Sequence, residues 1–565
     1  QVFKARGGAY VREHFFGVDE VLRERVAHLS DAEIGALNRG GHDPAKVHAA
    51  YAAAVAHRGQ PTVILAKTVK GYGMGAAGEA ANTNHQQKKM ADPAVRAFRD
   101  RFAIAVPDDQ LEQIPYIKPA PGSAEHNYFQ AAVARAGGHL PNRSAGPGPL
   151  ATPPLAAFAA HLKGSDGREF SSTMAFVRVL AQLLKDPEIG PRVIPIVPDE
   201  SRTFGMDGMF RQVGIYSHVG QLYTPQDADQ LSVYREDRKG QILQEGINES
   251  GAMSSWIAAG TAHSTHGLAT IPFYIFYSMF GFQRVGDLAW AAGDIRARGF
   301  LLGATSGRTT LEGEGLQHDD GHSHVLASVI PSCRAYDPAY AYEIAVIVQD
   351  GLRRMYQDGE DVFYYLTLVN EKTAHPPMPE DAQAGILQGM YRLRQGEPGA
   401  LRVQLLGSGA ILAETLAAAD LLRQDFGVSA DVWSVTSYSE LMRDGQEVER
   451  WNRLHPQAEA RRGHAETALA ASEGPVVAAT DYMRTVPEQI RPFVAGRRYV
   501  TLGTDGFGRS DTRQALRSFF GVDRHQIALA ALKALADDGR VDPAQAALAI
   551  ARYGIDPEAV SAALP

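Results

Sequence analysis

Val403-Gln404-Leu405-Leu406-Gly407-Ser408-Gly409 is an apolar run that stops at a glycine pair, and it reads as a buried strand. An alanine-rich stretch with helical spacing follows at 411–422. A second apolar run, Ala430-Asp431-Val432-Trp433-Ser434-Val435, comes next. The same alternation appears upstream. Val193-Ile194-Pro195-Ile196-Val197 and Phe300-Leu301-Leu302-Gly303-Ala304 read as buried strands, with helix patterns at 174–185 and 339–355. Near the start, Asp43-Pro44 caps a helix over 43–57 that leads into the β-rich Pro61-Thr62-Val63-Ile64-Leu65-Ala66. Strands alternating with helices in all three regions predict α/β layers with mostly parallel sheets. In such sheets ligands bind beyond the carboxyl ends of the strands, so the residues that follow apolar runs are the ones to weigh.

Two proline-rich breaks divide the chain. Ser144-Ala145-Gly146-Pro147-Gly148-Pro149 and His375-Pro376-Pro377-Met378-Pro379 forbid regular structure, giving regions 1–148, 149–378 and 379–565. The length, 565 residues, suits about three or four domains. A composition of 45% apolar and 21% charged residues excludes disorder as the main state. A net charge of −8 argues against a nucleic-acid wrapper. No stretch of about 18 uncharged apolar residues offers a membrane span. The single cysteine, Cys333, excludes an intrachain disulfide and any multi-cysteine metal site, and reads as a small apolar residue rather than a reactive thiol. Gln1-Val2-Phe3-Lys4 is neither an initiator methionine nor a signal peptide and reads as the middle of a longer sequence.

Four polar segments can carry chemistry. Gly73-Met74-Gly75-Ala76-Ala77-Gly78 has dinucleotide spacing, but the strand before it and the acid after it are out of place, so it reads as a flexible loop. It leads into Asn82-Thr83-Asn84-His85-Gln86-Gln87-Lys88-Lys89, either a gating loop or a surface turn. Gln317-His318-Asp319-Asp320-Gly321-His322-Ser323-His324 can ligate a metal, bind an anionic substrate through its histidines, or be an ordinary loop. In the stretch from Gln241 to Glu249, Glu249 precedes a helix and is either a partly desolvated acid or a helix N-terminal charge. The aromatic run 271–282 is mostly core, but Tyr277 and Phe280 at its end can stack on a flat ring.

Eight separated stretches together resemble one family. They are Gly8-Ala9-Tyr10-Val11-Arg12-Glu13-His14-Phe15-Phe16-Gly17, Leu37-Asn38-Arg39-Gly40-Gly41-His42-Asp43-Pro44, Lys70-Gly71-Tyr72-Gly73-Met74-Gly75, Asp199-Glu200-Ser201-Arg202-Thr203-Phe204-Gly205-Met206, and the segments 240–249, 273–287, 306–324 and 501–511. The chain resembles the homodimeric, bacterial type of pyruvate dehydrogenase, the thiamine-diphosphate-dependent decarboxylase of the pyruvate dehydrogenase complex. The resemblance implies a transketolase-like fold of three α/β domains. Residues 1–148 would be the later, incomplete part of the diphosphate domain, 149–378 the pyrimidine domain and 379–565 the C-terminal domain.

It also implies roles. Glu249 would share a proton with the aminopyrimidine of the cofactor, and Phe280 would stack on that ring. Tyr277 and His318 would hold pyruvate. His85 would bind substrate and act as the acid when the acetyl unit passes to the lipoyl domain of the dihydrolipoyl acetyltransferase component. Asp199 and Glu200 would lie near the cofactor, and Lys70 would face its diphosphate. The family's magnesium ligands lie in a Gly-Asp-Gly to Asn-Asn motif, and neither tripeptide nor dipeptide occurs here. The expectation is therefore an N-terminally truncated chain of a cytoplasmic, bacterial, homodimeric enzyme, with no metal ligands of its own, no nucleic-acid partner and no membrane. A non-catalytic dimerisation and docking fragment, or a transketolase-type enzyme, are the alternatives.

Overall fold

The structure is a computed structural model that describes residues 2–37, 40–139, 146–198, 201–226, 228, 234–494 and 496–563. The chain forms two compact units, Gln1–Asn142 and Arg143–Pro565.

The first unit is helices and turns. Asp43 caps the helix Pro44–Ala56 by accepting from the Lys46 backbone N–H, as the Asp-Pro pair predicts. Ser30 and Glu33 form a capping box on Asp31–Ala36. The expected strand at Pro61–Ala66 is corrected. This stretch is extended, but among the described residues no strand lies beside it, and Val63 and Leu65 are 79% and 92% exposed. A strand exists only through its ladder, so β propensity without a neighbour leaves an irregular segment.

Among the described residues the second unit holds two large sheets and two two-stranded ones, Glu169–Phe170 with Thr373–Ala374 and Ile215–Tyr216 with Glu236–Asp237. The larger has six strands in the order Leu243–Gln244, Val193–Val197, Ile271–Tyr277, Phe300–Ala304, Phe363–Leu368 and Cys333–Tyr336. All of its pairings are parallel. The second has five strands in the order Met390–Arg394, Ser429–Val435, Arg402–Gly407, Val476–Ala479 and Tyr499–Leu502. Its first pairing is antiparallel and the other three are parallel. Strands covered on both faces are mostly apolar, and Phe363–Leu368 and Ser429–Val435 are buried throughout, the buried Asp431 being paired with Arg402 and Gln404. Each fully buried large side chain contributes about 1.5–3 kcal/mol. Cys333 is buried at the start of its strand, and burial pushes its thiol up to about 12, so it behaves as a small apolar residue.

Both sheets reverse their strand order, and each reversal opens a crevice at the strand ends. From Val193–Val197 the chain steps to Leu243–Gln244 on one side and then to Ile271–Tyr277 on the other. From Arg402–Gly407 it steps to Ser429–Val435 and then across to Val476–Ala479. The second crevice is filled by the protein itself. Ser408 and Thr480 hydroxyls meet at 3.0 Å across it. Asp481 accepts from the Thr309 backbone N–H at 3.0 Å and from the Thr309 hydroxyl at 2.7 Å. The first crevice remains open.

Candidate functional site

A cavity of about 130 Å³ lies at the open crevice, lined by Pro198, Gly246, Glu249, Tyr277, Phe280 and His318 among others. This is the position where parallel sheets bind ligands. The sheet brings the residues together from the ends of four strands. Pro198 follows the strand Val193–Val197, and Tyr277 ends the neighbouring strand Ile271–Tyr277. Phe280 closes the 3₁₀ turn Ser278–Phe280, and His318 closes the 3₁₀ turn Leu316–His318. The ring of His318 stands 5.1 Å from each of Tyr277 and Phe280, and those two rings are 6.0 Å apart, edge to face.

Glu249 is the first residue of the helix Glu249–Gly260, whose N-cap Asn248 accepts from the Gly251 backbone N–H. Glu249 thus stands at a helix N-terminus and in the cavity wall at once. Its side chain is 18% exposed, and Oε1 accepts from Arg284 Nη1 at 2.6 Å. The Arg284 guanidinium also lies 4.0 Å above the Phe280 ring, which fixes acid, cation and aromatic face as one assembly. Beneath it, burial pushes the Tyr274 hydroxyl well above its ordinary range, and the Glu249 charge adds to that. Tyr274 is thus a neutral phenol at the cavity wall.

The histidine-rich segment does not converge on a metal. His318 Nδ1 approaches the Gly315 carbonyl at 3.2 Å, His322 Nε2 pairs with Gln283 Oε1 at 2.9 Å, and His324 Nε2 pairs with the Thr367 hydroxyl at 2.9 Å. Burial lowers His324 to about 4, so it is a neutral core histidine. No group of three or more metal-ligating side chains occurs among the described residues.

The C-terminal sheet's loop clasps the segment that carries His318. Arg308 donates to the Thr504 and Gly506 carbonyls. Asp319 Oδ2 accepts from the Arg509 backbone N–H at 3.0 Å. Ser510 donates to the Glu314 carbonyl at 2.8 Å, and Arg513 reaches both the Thr310 carbonyl and Glu312. The approach is close enough to require glycine at 508, where a Cβ would meet the Leu316 carbonyl oxygen at 2.6 Å. Asp319 is 1% exposed, and burial pushes its carboxyl up to about 7 against the pull of the Arg509 N–H and Arg308.

His85 and Lys70 belong to the first unit, where His85 Nδ1 lies 3.0 Å from Lys70 Nζ and both side chains are exposed. Asp199 and Glu200 lie outside the described residues. Sequence reasoning missed two features. Arg284 carried a signal, since it closes the aromatic run immediately after Gln283. The 504–513 clasp overlaps the family-like stretch 501–511, but its role was not legible, because several of its contacts are made by backbone groups.

Residues 153–376 match the family described as the pyruvate dehydrogenase E1 component middle domain. Residues 389–523 match the transketolase-like C-terminal domain. The chain is 61% identical over 559 residues to the pyruvate dehydrogenase E1 component of Pseudomonas aeruginosa, covering 99% of this chain and 63% of that protein. It is 59% identical to the corresponding protein of Cupriavidus necator, covering 99% and 62%, and 54% identical to that of Escherichia coli K12, covering 99% and 63%. The chain thus spans just over three fifths of the length of these relatives. Among solved structures, transketolase from Campylobacter jejuni superposes with a TM-score of 0.59 at 15% identity, over 87% of this chain and 66% of that one. A transketolase from Pichia stipitis gives 0.56 at 13% identity, over 88% and 66%. At these identities the likeness is one of fold alone.

Proposed function

We propose that the chain belongs to the pyruvate dehydrogenase E1 family, as its 54–61% identity to members and its middle-domain match support, and that it carries the pyrimidine end of a thiamine diphosphate site. The whole protein would decarboxylate pyruvate oxidatively and reductively acetylate the lipoyl group of a dihydrolipoyl acetyltransferase component, as a cytoplasmic homodimer. The residues 1–148, 149–378 and 379–565 would be its later diphosphate, pyrimidine and C-terminal domains. One observation carries the reading: Glu249, Tyr277, Phe280 and His318 line a single cavity at the open crevice of the parallel sheet.

The residues present fit the group. An aromatic ring, a half-buried carboxylate and a neutral phenol make a slot for a flat, basic heterocycle. When bound, thiamine diphosphate supplies the electron sink that pyruvate lacks for losing carbon dioxide. The protein's part is orientation and proton control. Phe280 offers a ring face. Arg284 holds Glu249 Oε1, which leaves the rest of the carboxylate to hold a proton against a ring nitrogen. Tyr277 and His318 donate hydrogen bonds to the carboxylate of pyruvate, and such charge-assisted bonds are the stronger class. Magnesium would be held outside this cavity. Lys70 and His85, hydrogen-bonded to each other, suit the diphosphate side and the proton delivery to the lipoyl disulfide. Asp199 and Glu200 are proposed as further acids near the cofactor.

The test is turnover of pyruvate with an artificial electron acceptor by the full-length protein that contains this chain. Glu249→Gln is expected to lose at least about 10²-fold, as a lost acid–base group does, while Glu245→Gln retains activity. Equal activity of Glu249→Gln and parent would overturn the assignment. The transketolase alternative has no observation in its favour beyond shared fold.

A further inference from the structure

A second, much smaller cavity of about 10 Å³ lies between the two sheets. Asp337 approaches it from the end of the strand Cys333–Tyr336, while Tyr438, Tyr482 and Gln489 approach from the five-stranded side. Four oxygen atoms of these residues are shielded from solvent with no partner in hydrogen-bond geometry: Asp337 Oδ2, Tyr438 Oη, Tyr482 Oη and Gln489 Oε1. Three of the side chains are more than nine tenths buried, with Asp337 at 6%, Tyr438 at 4% and Tyr482 at 1% exposure. Native proteins leave few such groups unpaired, because each gives up its hydration with nothing in return.

The other Asp337 oxygen defines the polarity of the network. Oδ1 accepts from the Thr367 hydroxyl at 2.7 Å. Thr367, its proton committed, accepts from His324 Nε2 at 2.9 Å. Above about pH 7, where Asp337 is ionised, its Oδ2 faces the cavity as an acceptor. Gln489 Oε1 is a second acceptor, and the two phenols are donors. Two acceptors and two donors around one small space are the complement of a water molecule, which donates twice and accepts twice. The volume agrees, since one water needs about 10–15 Å³ of such space. A hard divalent cation would want six or more oxygens, with several charges among them.

We propose that this cavity is a built site for one water molecule, which donates to Asp337 and Gln489, accepts from Tyr438 and Tyr482, and so ties the two sheets together. The bridge is independent of the catalytic reading. It supplements two direct backbone bonds close by, from Asp337 N–H to the Thr436 carbonyl at 2.7 Å and from Gly409 N–H to the Asp337 carbonyl at 3.3 Å.

A crystal structure of this chain at a resolution that orders interior water tests the proposal. One spherical peak within hydrogen-bond distance of all four oxygens is expected. An empty cavity would overturn it, as would an anomalous signal there after soaking with rubidium or calcium. Thermal melts give a second, independent reading. Tyr438→Phe and Tyr482→Phe should each lower Tm by about 2–4 °C. Because both bonds end on one molecule, the double variant should lose less than the two losses combined. Strict additivity would count against a shared partner.

Discussion

Gly508→Ala is the substitution that most sharply probes how the C-terminal sheet supports the His318 loop. A Cβ at 508 would lie 2.6 Å from the Leu316 carbonyl oxygen and 2.7 Å from Asp319 Cβ. Ordinary contact begins at 3.4 Å, so the clasp must open by about 0.8 Å, and the obstructing atoms include backbone. The Arg509 N–H bond to Asp319 Oδ2, 3.0 Å long, would then pass out of hydrogen-bond range. Asp319 Oδ1 has no partner to compensate, and the residue is 1% exposed. A lost hydrogen bond to a charged group costs about 1.5–3 kcal/mol, which corresponds to a Tm lowered by about 3–6 °C. The deficit should grow above pH 7, where Asp319 is ionised and its hydrogen bond is charge-assisted. Differential scanning calorimetry at two pH values measures this. Gly286→Ala, in the interior of the helix Phe282–Asp294 with open space around its Cβ, is the contrasting variant and should stabilise by up to about 1 kcal/mol. An unchanged Tm for Gly508→Ala would refute the clasp.

Asp337→Asn should alter the pH dependence of stability. Burial raises the folded-state Asp337 pKa from 3.8 to about 7, so between these values the folded protein binds the proton that the unfolded chain releases. The contribution of Asp337 to stability therefore falls as pH rises from about 4 to 7 and is level above. The variant should gain on the parent across that window by at most about 4 kcal/mol, and parallel pH–Tm curves would contradict this. Cys333 should resist alkylation in the native state and react on unfolding, as a timed thiol assay with and without denaturant would report; rapid native labelling would contradict its burial. Trp256→Phe should destabilise by about 2–3 kcal/mol, read by urea denaturation. It removes the Nε1–H bond to the Phe300 carbonyl at 3.0 Å from a fully buried site, and a midpoint equal to the parent's would refute that account.

The parallel sheets were legible because their strands are buried on both faces. Val193–Val197 and Phe300–Ala304 stand as uninterrupted or nearly uninterrupted apolar runs in the sequence. The same rule misleads at Pro61–Ala66, where the residues have strand character and no strand lies alongside among the described residues. Glu249, Tyr277, Phe280 and His318 were identified through resemblance, and topology explains their meeting. Tyr277 ends a strand at the order reversal, and each of the others follows a strand by one loop. Arg284 was harder to see, because its two partners, Glu249 and Phe280, are set by packing between a helix end and a turn. The contacts of the clasp and the small polar cavity between the sheets were not legible. They depend on main-chain groups and on side chains more than a hundred residues apart, such as Asp337 and Tyr438 or Asp319 and Arg509.

The account rests on Glu249 holding a proton against a ring nitrogen of thiamine diphosphate. Its most direct test is the rate at which the thiazolium proton of the bound cofactor exchanges with solvent, followed by quenched-flow NMR on the full-length protein. Glu249→Gln should slow that exchange by at least about 10²-fold while the cofactor remains bound. Exchange at the parental rate in the loaded variant would contradict the account.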